Sequence, residues 1–589
     1  MTNSHGGSAD KLTMGRISAN LWALMTTVAA APTNSDVCFS EFLRPDLVCI
    51  SMLVGISQLE RLVVLAGIYA IRAITPISFF HLSLSVFWSS YPLRRYYPIT
   101  TYTLIEVVFY LFFFLPRKAF LQRVSQLLSP LFPCPHILDP QPAVHPPPLS
   151  SEDRHQLFAR CIAHLKDDQS FNQWFLDSPS HVPRENVVQW LKWGFFAGEP
   201  CINEKCSKHD EELEEYVQAL EKSLGKRFPP GYDPKLKSIR ITLDDVVVYH
   251  RPVIWYFVRT TYLFNPASAV LRYHGFTHYS APVPIFPPRL HTIFSTRSPS
   301  PLLSYWYKAS STTKQPTPLL FLHGIGIGLL PYLPLLIFYS KAHPDAGILV
   351  PEFLNISGRI TRPPLSPREF QLALGVIFNY HQITSYNLAG HSYGTGISSI
   401  MIRSTAQSDH PLIPRPSSVT LFDPIPILLH LPSVARNFLY RKPKSANEHE
   451  IYYFACTDPG VAHSLSRYFF WTECVIWKED LDSLWHDEPR EGSTDSKPRV
   501  AVVLSGEDII VDSPAIWTYL TNTAPPTFKT TDLRPFVPPV PHPDAFVPTT
   551  CKGGNIEAYY LGGLDHAQMF LRRESWKGLI KVIDRVSRD

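Results

Sequence analysis

The sequence predicts a mostly parallel, doubly wound α/β domain with a helical cap, preceded by a helical region and an N-terminal transmembrane hairpin. Three observations carry that prediction. From about residue 282 onward, short apolar runs alternate with stretches of helical periodicity, the pattern of a parallel sheet crossed by helices. One of those runs, 386–389, leads into Gly390-His391-Ser392-Tyr393-Gly394 and then into a helix of small residues. Upstream, two apolar stretches at 62–84 and 97–115 are each long enough to cross about 30 Å of hydrocarbon.

Composition sets the outer bounds. The 589 residues exceed one ordinary domain. A net charge of +4, with 18% charged residues and no basic patch interleaved with aromatics, makes no case for nucleic acid as a partner. Aromatic residues reach 13%, which fits contact with lipid or an apolar pocket, and 56 prolines imply long irregular connections. Nine scattered cysteines, odd in number, argue against a secreted disulfide framework and for a reduced, cytosol-facing environment. Cys201-x4-Cys206-x2-His209 is half of a metal site with no second pair nearby, so neither a metal nor another cofactor is expected. Asn355-Ile356-Ser357 matches a glycosylation sequon but falls between an expected core strand and a helix.

Residues 1–45 form a variable polar segment, in which the apolar stretch 21–31 after Arg16 makes a poor signal peptide. The membrane region covers 46–130, and within it 47–56 is apolar but too short to span. Each span carries one charge, Arg72 in the first and Glu106 in the second, which is costly in lipid. Both lie near mid-span, so an antiparallel hairpin brings them level, and an Arg72–Glu106 pair is expected there. Arg61, Arg117, Lys118 and Arg123 flank the spans and outweigh Arg94 and Arg95 in the loop. That bias puts both termini and the α/β domain in the cytosol, on an intracellular membrane such as the endoplasmic reticulum. Residues 131–149 form a stiff Pro-rich linker ending in Pro146-Pro147-Pro148. Helical periodicity at 151–165, 172–176, 184–196 and 210–224, then at 244–263 and 268–273, makes 150–281 a helical accessory region bridging the membrane and the α/β domain.

The α/β domain spans 282–589, with strands expected at 319–322, 347–350, 386–389, 419–422, 500–504 and 556–561 and helices at 366–380, 397–402 and 574–586. A Gly-x-Ser-x-Gly turn after a strand is a nucleophile elbow: the serine stands on a strained strand-to-helix turn, and the flanking glycines leave room for the neighbouring backbone. A serine hydroxyl needs a base, a group to orient that base, and donors for the developing oxyanion. These stations follow in chain order. His323-Gly324-Ile325-Gly326-Ile327-Gly328 follows a strand and offers the Ile325 amide as an oxyanion donor, with the Tyr393 amide as the second. After the strand at 500–504, Ser505-Gly506-Glu507-Asp508 puts Asp508 forward as the acid. Asp423, at the end of the preceding strand, is its competitor; Glu507 and Asp512 read as solvated turn residues, and Asp565 should point away from its neighbour. His566, between the last strand and the last helix, is the base. His391 sits at the elbow's variable position, His323 shapes the oxyanion loop, and His430 and His463 belong to the cap. That cap, 424–498, is about 75 residues, far longer than an ordinary connection. Its Ile425, Ile427, Leu428 and Tyr468-Phe469-Phe470-Trp471 fit a lipophilic substrate tunnel as well as simple packing. The Pro-rich stretch 523–550 reads as a surface loop.

Several strings carry a resemblance: Ile105-Glu106-Val107-Val108-Phe109-Tyr110, His145-Pro146-Pro147-Pro148, Trp174-Phe175-Leu176, Arg184-Glu185-Asn186-Val187, Trp193-Gly194-Phe195-Phe196, Gly390-His391-Ser392-Tyr393-Gly394-Thr395, Asp423-Pro424-Ile425 and Asp565-His566-Ala567-Gln568. In these the chain, from about residue 60 onward, resembles membrane-anchored α/β-hydrolase domain proteins abundant in fungi. The resemblance implies a membrane anchor and a catalytic set of Ser392, Asp508 and His566, and it implies no particular substrate. The expectation is therefore a membrane-associated serine hydrolase that cleaves the carboxylic ester of a lipophilic or lipid substrate through an acyl-enzyme. Two alternatives stand beside it: acyl transfer or thioester cleavage by the same triad, and a non-catalytic membrane scaffold.

Overall fold

The computed structural model describes residues 57–88, 92, 96–121, 143, 145–165, 167–196, 205–311, 316–407, 411–485, 498–527, 539–551 and 554–587. The segment 1–45, the apolar stretch 47–56, Arg94, Arg95, Arg123, most of the 131–149 linker, Cys201 and the Cys206 side chain lie outside the described residues.

Helix α1 (Gln58–Phe87) opens on a capping box, with Ser57 and Glu60 bonded reciprocally, so two otherwise orphaned amide donors are satisfied. Helix α2 (Tyr97–Phe109) has a proline in its first turn and runs on through a π-helical turn (Tyr110–Phe114) to Leu115–Leu121. Both exceed the expected spans 62–84 and 97–115, and both are long and apolar enough to cross a membrane by length and composition. They lie antiparallel: Thr75 donates to Glu106 at 2.6 Å, and His81 Nε2 lies 3.1 Å from Thr100 Oγ1.

The expected Arg72–Glu106 pair does not form. Glu106 is fully buried and accepts from Thr75, from His250 Nε2 (2.8 Å) and from the Val253 amide (2.7 Å). Arg72 instead lies over the Tyr249 ring, 4.9 Å from its centroid. The physical reason is competition: three donors, one of them a backbone amide, already engage both carboxylate oxygens, and Arg72 gains a π face in place of an anion.

In the accessory region, helices Ser151–Ile162, Arg184–Phe196 and Lys205–Leu224 bury Phe171, Phe175, Leu191 and Val217 between them. Arg154 and Glu212 cross this core as a two-bonded fork at 2.8 and 2.6 Å. The same core runs on into the cap through Leu429, Cys474, Val475 and Trp477, so the region braces the cap as well as facing the hairpin. A helix over 244–263 is not seen as expected. Residues 245–252 are irregular because Pro252 disfavours helical backbone in the residue before it. Helix α3 begins after that proline, at Val253–Arg259, and continues through a π-helical turn (Thr260–Phe264) into Asn265–Tyr273.

The ten-stranded sheet comprises β1 (Thr277–Ser280), β2 (Thr296–Arg297), β3 (Tyr305–Lys308), β4 (Leu319–Leu322), β5 (Ile348–Pro351), β6 (Asn387–His391), β7 (Ser418–Phe422), β8 (Val500–Ser505), β9 (Thr549–Thr550) and β10 (Ile556–Leu561). Its order is β9-β10-β8-β7-β6-β4-β5-β3-β1-β2. The six strands from β10 to β5 are mutually parallel, and β3 is antiparallel to both its neighbours. The sheet thus starts at Thr277, slightly before the expected boundary at 282. Strands β4 to β8 and β10 are buried at every residue, as parallel strands covered on both faces must be. Register places Leu322 opposite Gly390 and His391 opposite Phe422, so the loops after β4, β6, β7, β8 and β10 gather at the carboxyl edge. The loop after β4, the turn holding Ser392, the turn holding Asp508 and the loop holding His566 follow one another there in chain order, as the sequence predicts. Helix α4 (Tyr393–Gln407) leaves the elbow, α5 (Ala446–Ile451) lies in the cap against α1, and α6 (Arg573–Val586) closes the chain.

Candidate active site

Ser392 stands between β6 and α4 with φ of +51°, a left-handed backbone that a non-glycine residue holds only under constraint. The flanking glycines supply that constraint. A Cβ at Gly390 would lie 2.5 Å from Ser398 Oγ, and one at Gly394 would fall on the Leu322 carbonyl. Gly324 is equally tight, since a Cβ there would sit 3.0 Å from Ser392 Cβ and 2.9 Å from His391 Nδ1. The loop after β4 is therefore pressed directly against the serine.

The structure brings the three expected residues together. His566 Nε2 lies 2.9 Å from Ser392 Oγ, and His566 Nδ1 lies 2.7 Å from Asp508 Oδ2. Asp508 is held by its own turn: its Oδ1 accepts from the amides of Ile510 (2.7 Å) and Val511 (2.8 Å). Asp423 is fully buried nearby but otherwise engaged. It accepts from the Ser505 amide (2.8 Å), Ser505 Oγ (3.1 Å) and the Ala567 amide (3.0 Å), and stays 4.0 Å from His566 Nδ1. Asp565 turns away from the imidazole to accept from Ile509 N (3.0 Å) and the Asn447 side chain.

The amides of Ile325, next to Gly324, and of Tyr393, next to Ser392, have no protein acceptor among the described residues. The neighbouring donors are taken: the Gly324 amide by Tyr332 Oη (3.0 Å) and the Gly326 amide by the Ile356 carbonyl (3.1 Å). His323 shapes this loop from beneath, accepting from the Phe353 amide at Nε2 (2.9 Å) and donating from Nδ1 to the Gly324 carbonyl (2.8 Å). The Tyr332 hydroxyl in turn donates to His391 Nδ1 (2.8 Å).

Electrostatics separate the histidines. Burial opposes the His566 imidazolium, but the adjacent Asp508 carboxylate, with Asp423 and Asp565 behind it, outweighs burial and lifts its pKa to about 9. Burial dominates at His391 and His323 and pushes each down to about 4. Burial raises the Asp508 carboxyl, against the pull of His566. At Asp423 burial pushes the same way, yet His391, with Nε2 3.6 Å away, the His566 charge and the bond from the Ala567 amide leave it lowered.

Among the described residues, two side-chain clusters bring potential metal ligands within 4.8 Å of one another: His391, Asp423 and His566, and separately His278, His291 and Glu352. In the first, each residue is bonded elsewhere: His391 to Tyr332, Asp423 to Ser505 and Ala567, and His566 to Ser392 and Asp508. In the second, Glu352 is already paired with Arg289 and His278 and accepts from Trp306 Nε1 (3.3 Å), which is the donor set of a buried ion-pair network. Sequence reasoning missed Tyr332, Asn447 and Ser505. Nothing in their local sequence marks them, because each reaches the site only through long-range contacts.

No family model matches the chain, and no curated protein matches it in sequence. Among solved structures it is similar to a membrane phospholipase A, a bacterial virulence factor, at 14% identity over 56% of this chain and 94% of that one, with a TM-score of 0.32. It is also similar to the carboxylesterase CesB of Bacillus subtilis (10% identity, 57% and 98% covered, TM-score 0.30). A third is the naproxen esterase of Bacillus subtilis (12% identity, 54% and 93% covered, TM-score 0.29). Likeness at this level transfers no function.

Proposed function

We propose that the protein is a membrane-tethered serine hydrolase that cleaves the carboxylic ester of a lipophilic substrate. The observation that carries this reading is His566, bonded on one side to Ser392 Oγ at 2.9 Å and on the other to Asp508 at 2.7 Å. Ser392 Oγ attacks the ester carbonyl carbon while His566 Nε2 takes the hydroxyl proton. The oxyanion accepts from the Ile325 and Tyr393 amides, which are fixed before the reaction and cost no reorganisation. Asp508 holds the imidazole with Nε2 toward the serine and stabilises the imidazolium. Collapse breaks the ester C–O bond, and His566 returns its proton to the departing alkoxide. His566 then deprotonates a water, which adds to the acyl-serine; collapse releases the carboxylic acid and restores Ser392.

Two features support a lipophilic substrate and a membrane setting. A cleft with about 80 Å³ of free space adjoins Tyr393, walled by Phe353, Leu365, Phe370, Ile397 and Phe469. The hairpin exposes Ile77, Phe80, Ile105, Val108 and Phe112, and this apolar surface passes through Phe109, stacked on Phe286, toward exposed Phe257. The basic residues Arg61, Arg117 and Lys118 at the hairpin's base support a cytosolic active site.

A second reading, acyl transfer to an alcohol, is favoured by the closed site: Ser392 is 8% and His566 5% exposed, which restricts water. The test is fluorophosphonate labelling of the purified protein, followed by a lipid-ester screen with and without alcohol acceptors. Labelling is expected for wild type and lost in Ser392→Ala and His566→Ala. A folded wild type that does not label would leave the scaffold reading in its place, and ester product formed only with alcohol would assign transfer.

A further inference from the structure

The oxyanion loop is gripped from outside the α/β domain. Arg259, on α3, donates from Nη2 to the Gly326 carbonyl at 3.0 Å. Its guanidinium is buried and has room only because Gly358 is glycine: a Cβ there would overlap Nη1, and the +61° φ of that residue favours glycine as well. One turn further along α3, Phe264 presses on the same loop, its ring 3.0 Å from where a Gly328 Cβ would lie. Gly326 is thus pinned on both sides, its amide by Ile356 and its carbonyl by Arg259. Between that anchor and the Gly324–Tyr332 bond lies Ile325, whose amide has no protein acceptor among the described residues and is the oxyanion donor of the reading above.

The other end of α3 is held by the hairpin. Pro252, the N-cap residue, supplies no side-chain cap. The acceptor comes instead from Glu106 of α2, whose carboxylate takes the Val253 amide at 2.7 Å and His250 Nε2 at 2.8 Å. A carboxylate in that place satisfies an orphaned donor and complements the positive end of the helix. Val253 and Arg259 are six residues apart, about 9 Å along the axis. One rigid helix therefore joins the hairpin carboxylate to the oxyanion loop.

We propose that Arg259 is a positioning residue for the oxyanion loop, and that the membrane hairpin sets its position through Glu106 and α3. The catalytic consequence rests on the hydrolase reading above; the coupling itself rests on geometry. Hairpin placement and oxyanion-hole geometry are then one mechanical unit, and hydrolysis responds to how the hairpin is seated in lipid.

Arg259→Met keeps the packing of the stem and removes the donor. In the full-length protein in detergent, it is expected to lower kcat on a p-nitrophenyl acyl ester about 100-fold, the scale of losing one oxyanion-hole donor. KM is expected to stay within threefold, and fluorophosphonate labelling of Ser392 to slow by a similar factor. Arg259→Lys, which retains one donor, is expected to recover part of kcat. Amide hydrogen exchange of the peptide covering 323–329 gives a readout independent of activity. Exchange there is expected to speed at least tenfold in Arg259→Met and, to a lesser degree, in Glu106→Gln, with exchange in β7 and β8 unchanged. A folded Arg259→Met protein with wild-type kcat and wild-type loop exchange overturns the proposal, as does a loss confined to KM. If Arg259→Met does not fold, Glu106→Gln decides by the same exchange measurement, and unchanged 323–329 exchange overturns it. If wild type itself neither labels nor hydrolyses, the hydrolase reading fails, and the exchange result alone settles the coupling.

Discussion

Asp508 Oδ2 lies 2.7 Å from His566 Nδ1, on the line that leads through the imidazole to Ser392. The rival carboxylate, Asp423, is 4.0 Å away and spends its oxygens on Ser505 and Ala567. Asp508→Asn is therefore expected to lower kcat by up to about 10⁴-fold with little change in melting temperature, the scale of losing the orienting carboxylate of a triad. Asp423→Asn should do the opposite, lowering stability by roughly 2–4 kcal/mol as buried donors lose their acceptor, with the smaller kinetic effect. Paired kcat and melting measurements check this, and the reverse pattern would hand the role to Asp423.

The raised pKa of His566 has a defined sign. In the proposed mechanism His566 is the base and works only when neutral, so kcat/KM should rise with pH through an acid limb displaced above 6.5 toward about 9. Folding linkage runs the other way. A cation favoured by the native state stabilises fully below the unfolded pKa, near 6.5, and that stability is lost as pH climbs through about 9. Activity and the His566 contribution to melting temperature should move oppositely across that window, and Asp508→Asn should shift the acid limb down. An acid limb at or below pH 6.5 in wild type would contradict the assignment.

Two glycines at the site should fail differently. Gly394→Ala drives a Cβ into the Leu322 backbone, which cannot yield, so a loss of more than about 3 kcal/mol or outright misfolding is expected. Gly324→Ala meets side-chain atoms at 2.9–3.1 Å, of His391, Ser392 and Tyr332. It should fold, shift the oxyanion loop and slow fluorophosphonate labelling about 100-fold. Thermal melts and labelling rates separate the two cases.

The hairpin charges should behave as non-partners. Arg72→Leu and Glu106→Gln are expected to be additive in thermal denaturation in detergent, within about 0.5 kcal/mol. His250→Phe and Glu106→Gln, which share a 2.8 Å bond, should instead show coupling of more than about 1 kcal/mol. Coupling between Arg72 and Glu106 of that size would restore the ion pair that level positions in a hairpin suggest.

Much of the architecture could be read from local chemistry. Short continuous apolar runs, the glycines flanking Ser392 and the His-Gly turn after an apolar strand each act over a few residues, so their message survives without a fold. Chain order then put an acid and a histidine behind successive strands. The elements misjudged were those whose outcome depends on distant partners. Residues 244–252 carry helical spacing, yet Pro252 sets the start of α3, and Glu106 caps that start from 147 residues away in sequence.

By itself, then, the amino-acid sequence determined a doubly wound domain with a serine, an acid and a histidine at its carboxyl edge, and two apolar helices before it. Only the tertiary structure decided which of two buried carboxylates faces His566, because both end adjacent strands and differ solely in where their lone pairs are already spent. It also decided what Glu106 does. A charge in an apolar helix announces that a partner exists; the partner was a histidine and a helix amide brought up by folding, and spacing along the chain carries no record of that approach.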